Sequence, residues 1–171
     1  LKEFEMSDNV RTIGEYAFAD CSQLKEIKLS DNVTKIDRGA FEHTGIVEIK
    51  IPTYVETIGE SAFYGCTELE EIKFESANLR KLEETTFGRC RKLKNINIPD
   101  SIKEIGWSCF SEYLETIYFT GNAVNFNEGA FEGVEATAYY PRNDPTWTEE
   151  VRQDYDGKIT WVEWDAPITI I

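Results

Sequence analysis

The chain has 171 residues, 41% hydrophobic and 13% aromatic, enough for one domain with a buried core and too apolar for wholesale disorder. Against 18 basic side chains stand 32 acidic ones, and the net charge of −14 argues against nucleic acid and anionic membranes as partners. No run approaches the ~18 apolar residues of a membrane span, and the opening segment lacks the basic flank and apolar stretch of a signal peptide.

Taken in chain order, the first block, Leu1-Lys-Glu-Phe-Glu-Met6, begins a series. It returns as Leu24–Leu29, Ile46–Ile51, Leu69–Phe74, Leu93–Ile98 and Leu114–Phe119, with a degenerate copy at Glu135–Tyr140. The last four residues of each block alternate apolar and polar, which predicts a short strand with one face buried. Pro52, Pro99 and Pro141 follow three of the blocks and stop the strand.

Between the blocks runs an Ala-Phe marker, with Phe18, Phe41, Phe63, Phe87, Phe110 and Phe131 spaced 23, 22, 24, 23 and 21 residues apart. Five residues before them stand Ile13, Ile36, Ile58, Leu82, Ile105 and Phe126. Four before stand Gly14, Asp37, Gly59, Glu83, Gly106 and Asn127, mostly residues that tolerate a left-handed backbone. One such unit cannot bury enough surface to fold alone, so the copies must stack. Stacking brings identical positions ~4.8 Å apart in a parallel sheet, and seven strands make it about 29 Å wide.

The composite pattern L-x-x-I-x-[LIF]-P-x-x-[VI]-x-x-I-G-x-x-A-F-x-x-C resembles the BspA-like (treponemal-type) leucine-rich repeats. Leu69–Cys90 and Leu93–Phe110 are close examples, and the resemblance runs from Leu1 to about Tyr140. Thr44 and Tyr113 depart from it where the pattern has Cys, and Glu83 where it has Gly. The expected fold is an α/β solenoid: a right-handed leucine-rich repeat array of about 6–7 repeats of 21–24 residues, with one parallel sheet and a C-terminal helix/strand cap. The resemblance implies a bacterial protein, secreted or displayed at the cell surface, that binds host or cell-surface partners.

Residues 1–140 form the expected solenoid and 141–165 the cap. Asp144-Pro145 reads as a helix start, with Trp147, Val151 and Tyr155 on one face, Asp156-Gly157 as its end, and a strand from Ile159 to Trp164 after it. Trp147, Trp161 and Trp164 cover the last open coil; a glycan-stacking platform is the alternative use for them. Residues 166–171 read as a linker stub. The repeat is already running at Leu1, so the chain is expected to be a fragment of a longer array. Its uncapped end, showing Leu1, Phe4 and Met6, is a candidate surface for self-association.

The outward strand positions are free of core duty and form the candidate site. One column reads Glu5, Lys28, Lys50, Lys73, Asn97, Tyr118, Tyr139; its neighbour reads Glu3, Glu26, Glu48, Glu71, Asn95, Thr116, Thr137. Two readings stand: a solvated face kept soluble by charge pairs, or a binding strip over Lys28, Lys50, Lys73, Asn97, Tyr118 and Tyr139 with the tyrosines as anchors.

Cys21, Cys66 and Cys90 share one repeat position and Cys109 precedes Phe110. Buried free thiols are expected, with a Cys66–Cys90 bridge between adjacent coils as the alternative. No Cys/His spacing suits zinc, Asp154 and Asp156 do not fix a calcium site, and Asn32-Val33-Thr34 is a bare glycosylation sequon. His43, the sole histidine, stands in a loop, and no nucleophile motif or phosphate loop is present. These absences leave a non-enzymatic binding module without metal or cofactor as the expected function, and the resemblance implies that it meets a protein or glycan on a host or cell surface. A spacer that displays neighbouring domains is the alternative.

Overall fold

The computed structural model describes residues 2–165. Along one side of the coil lie β1 (Glu3–Glu5), β3 (Glu26–Lys28), β5 (Glu48–Ile51), β7 (Glu71–Phe74), β9 (Asn95–Ile98), β11 (Thr116–Phe119), β13 (Glu135–Pro141) and β14 (Lys158–Trp164). A second row of two-residue strands, unforeseen from sequence, starts each return: β2 (Thr12–Ile13), β4 (Lys35–Ile36), β6 (Thr57–Ile58), β8 (Lys81–Leu82), β10 (Glu104–Ile105) and β12 (Asn125–Phe126). All pairings are parallel and link equivalent residues of successive coils, such as Ile49 with Ile72 and Ile36 with Ile58.

The Ala-Phe turns make a third ladder. Phe18 N–H donates to the Ala40 carbonyl (2.8 Å), Phe41 to Ala62 (2.8 Å), Phe63 to Thr86 (3.1 Å) and Phe87 to Cys109 (2.8 Å). Inside it the rings of Phe18, Phe41, Phe63 and Phe87 stack at 5.3–5.7 Å with planes within 8°. Phe110 and Phe131 form a further stacked pair at 5.7 Å. The core is this ring column together with the inward isoleucines and leucines of both strand rows.

The ladders are interrupted. Hydrogen-bonded strands group as β1–β3, β5–β7 and β9–β11–β13–β14, and in the second row as β2–β4–β6 and β8–β10–β12. The expected single sheet is thus divided. Both rows break at the longest repeat, Leu69 to Leu93, where the loop after β7 must absorb extra length. Ser76 closes that loop from a buried position: its hydroxyl accepts the N–H groups of Asn78 and Leu79, both at 3.0 Å, and donates to the Val55 carbonyl.

Three further expectations need correction. The described residues contain no helix, so the fold is an all-β solenoid and the cap carries a strand without a helix. In the repeats, left-handed residues recur two before the Phe (Tyr16, Gly39, Ser61, Thr85, Ser108, Gly129) and often two after it (Asp20, His43, Gly65, Arg89, Gly133), which blocks any right-handed helical run. The positive φ therefore does not fall four residues before the Phe. Glycine serves there because the neighbouring coil is close: a Cβ on Gly59 would lie 2.5 Å from Arg38 N, and one on Gly106 2.8 Å from Glu84 N.

Over 144–157 the backbone makes successive turns. Asp144 caps the first, with Oδ1 accepting from Thr146 N at 2.9 Å, but Thr146, Trp147 and Thr148 are poor helix formers. Their groups are also engaged sideways: Thr146 Oγ1 accepts Ala123 N–H (2.8 Å) and Trp147 Nε1 donates to Gly121 O (3.0 Å). Tyr155 and Asp156, both left-handed, end the segment. The third correction is at the other end, where Met6 is buried and its N–H bonds Lys28 O at 3.0 Å, while Phe4 is 38% exposed. Leu1 and the expected linker stub at 166–171 lie outside the described residues.

Candidate binding face

The register places the two outward columns as the alternation requires. Glu3 stands opposite Glu26, Glu48 opposite Glu71, and Asn95 opposite Thr116, Thr137 and Thr160 in turn. Beside them Glu5 faces Lys28, Lys50 faces Lys73, and Asn97 leads through Tyr118 and Tyr139 to Val162. The face divides sharply. Across β1, β3, β5 and β7 every residue of both columns is ionised; across β9, β11, β13 and β14 none is. The boundary coincides with the break between β7 and β9.

In the charged half, Lys28 Nζ meets Glu5 Oε1 at 2.6 Å and Lys73 Nζ meets Glu71 Oε2 at 3.1 Å. Lys50 turns to Glu75 in the following loop at 3.0 Å, so the glutamate column does not neutralise every lysine. Hydrogen bonding to Glu5 raises the Lys28 pKa above its ordinary value, Glu71 does the same for Lys73, and Lys28 lowers that of Glu5. These pairs are fully solvated and weak. A depression of about 650 Å³ runs along this half, lined by Lys28, Lys50 and Lys73 together with Glu26, Glu48 and Glu71.

The uncharged half carries aromatics. Tyr118 and Tyr139 stack at 4.9 Å with planes 11° apart, one ring per coil. Trp164, at the end of β14, folds back across both, 4.9 Å from Tyr118 and 6.4 Å from Tyr139, and its Nε1 donates to Phe119 O at 3.1 Å. All three are half-buried. The tryptophans thus split by alternation along β14. Trp161 turns inward with Trp147, which is 4% exposed, and the pair lies against Phe119 as a cap. Trp164 turns outward and joins the tyrosines. Its place in the strip was missed from sequence, although its even offset from Thr160 on one strand was the available signal.

The remaining candidates have structural work. Cys66, Cys90 and Cys109 are buried free thiols, and Cys21 is free and half-buried. Cys66 Sγ donates to Phe41 O at 3.0 Å and Cys90 Sγ to Phe63 O at 3.2 Å, each reaching back one coil. Burial pushes the Cys66 thiol up to about 11 and also raises those of Cys90 and Cys109. His43 rests on Gly65 and lies 3.5 Å from Glu42. Asp154 spends Oδ1 on Ile159 N–H at 3.0 Å. Among the described residues, no group of three or more His, Cys, Asp or Glu side chains is placed to hold a metal ion.

A model of the BspA type leucine rich repeat region matches residues 1–112 and 37–141, in six copies. No curated protein matches the chain in sequence. A leucine-rich repeat protein from Eubacterium ventriosum is 28% identical, with 87% of this chain and 46% of that one aligned at a TM-score of 0.62. The pneumococcal vaccine antigen PcpA is 23% identical over 77% of this chain and 32% of its own, also at 0.62. A leucine rich cell surface protein from Faecalibacterium prausnitzii is 20% identical over 94% and 60%, at 0.50. For the last two the likeness is one of fold. The chain spans between a third and three-fifths of the length of these structures.

Proposed function

The chain belongs to the BspA-type leucine-rich repeat family, and from that premise we propose that it is a non-enzymatic binding module, secreted or displayed at a bacterial surface, that meets a protein or glycan through the outward face of its sheet. Two of the similar structures, a cell surface protein and a vaccine antigen by their own names, support the location. The observation that carries the reading is the Tyr118–Tyr139–Trp164 cluster. Three large rings stand half-exposed on an open sheet, outside the core, where anchoring aromatics of binding sites are found.

The test is a printed panel of matrix proteins and glycans, probed with the native chain and with a Tyr118→Ala/Tyr139→Ala variant. Binding that the variant loses supports the strip as the contact; binding that the variant keeps removes it. The uninterrupted ring column from Phe18 to Phe87 favours a second reading, a stiff spacer between neighbouring domains. A native chain that binds nothing on the panel supports that reading.

A further inference from the structure

We infer that the uncharged strip across β9, β11, β13 and β14 takes a neutral polysaccharide, its sugar rings lying against Tyr118 and Tyr139 and its hydroxyls bonded by Asn95 and Asn97. The inference rests on the binding-module reading above and names the ligand class for the same face.

Size separates a glycan from a protein partner. Four strands at ~4.8 Å spacing and two outward positions per strand cover roughly 14 Å by 7 Å, on the order of 100 Å². A stable protein interface buries about 800 Å² per partner. A protein seated on this strip would have to spread onto the ionised half or past the cap, whereas a short run of linked sugars fits within it.

Chemistry points the same way. The positions flanking the rings are Asn95, Asn97, Thr116 and Thr137, short side chains whose amides and hydroxyls donate and accept. Asn95 and Asn97 are exposed, so their amides are open to a ligand. Tyr118 stacks on Tyr139, has Trp164 tilted against it at 4.9 Å, and stands opposite Asn97 in the register, so the edge of an aromatic cluster borders an exposed amide. A sugar ring is matched to such a border, with C–H groups on its faces and hydroxyls at its edge. The two columns of the strip offer no cation to an anionic polymer, Lys158 at the start of β14 is paired with Glu135 at 3.5 Å, and the net charge of −14 repels a polyanion.

The test is mobility of the intact chain in native gels containing cellulose ether, mixed-linkage β-glucan, xylan or mannan, with heparin as the anionic control. The expected result is retardation in at least one neutral gel, unchanged by added salt and by Lys28→Ala/Lys50→Ala/Lys73→Ala. Tyr118→Ala should weaken it about tenfold, as loss of an anchoring aromatic does. Asn97→Ala, at an exposed site where the fold is not at risk, should weaken it as well. Retardation in none of the neutral gels overturns the inference, as does retardation that salt or the lysine variant abolishes. If the matrix-protein panel then shows Tyr118-dependent binding, the glycan inference fails and the binding-module reading stands. If neither assay detects a ligand, both fail.

Discussion

The indole of Trp107 occupies the space where a side chain on Gly129 would begin: a Cβ there falls 2.5 Å from Cδ1 and 2.6 Å from Nε1. Gly129 is also left-handed, at φ 74°. Tyr16 over Gly39 and His43 over Gly65 repeat the arrangement one coil apart, so several rings on the outside of the turns are seated on glycines. Gly129→Ala should therefore cost both the left-handed penalty, roughly 1–2 kcal/mol, and the displacement of the indole. In a Trp107→Ala background only the first part should remain. Urea unfolding of the four proteins of this cycle measures the difference, and equal costs in both backgrounds would refute the contact.

The ring column predicts a gradient. Phe63 is fully buried between Phe41 and Phe87, so Phe63→Ala should cost about 3–5 kcal/mol. Phe4, 38% exposed at the first coil, packs its ring at a tilt against Phe18 at 5.4 Å. Phe4→Ala should lower the urea midpoint less; the reverse order would contradict the column as the source of stability.

The Glu5–Lys28 pair gives a pH window. The Glu5 carboxyl lies below its ordinary 4.5 because Lys28 bonds it, so its contribution is present above 4.5 and lost as the pH falls through the folded value. Lys28 lies above its ordinary 10.5, so its contribution is full below 10.5 and lost as the pH rises through the folded value. The pair should therefore act between those limits and fade with salt. NMR titration of the Glu5 carboxyl should show a midpoint below 4.5 that returns toward it in Lys28→Met. A midpoint unmoved by the substitution would count against the pair.

Thiol accessibility should follow burial. At mildly alkaline pH, iodoacetamide should reach the half-buried Cys21 first and leave Cys66, Cys90 and Cys109 unmodified until the chain unfolds. The intact mass should show four thiols. A mass two hydrogens lighter, with Cys66 and Cys90 protected after unfolding, would mean the bridge forms after all.

The period and both outward columns were legible because equivalent residues recur at fixed offsets and alternation decides which face they take. The left-handed positions were not. Tyr16, Thr85 and Arg89 adopt φ of 53°, 53° and 57° with side chains that do not advertise it, while Gly14, Gly59 and Gly106 drew attention to the wrong offset. The helix expected at 144–156 rested on Trp147, Val151 and Tyr155 at four-residue spacing. All three do pack against the core, but a series of turns meets that spacing as well as a helix does. The fold-back of Trp164 onto Tyr118 lies two strands away and depends on side-chain rotation that a sequence pattern does not encode.

Because each coil holds the next through backbone bonds that run along the array, tension applied between the chain's ends loads one junction at a time. Coils should peel away singly, each releasing a loop of roughly 70–80 Å of extended chain. The three places where strands already lack bonds to their neighbours, between β3 and β5, between β6 and β8 and between β7 and β9, are where such rupture would start. A tether of this kind yields in steps and absorbs work at each one.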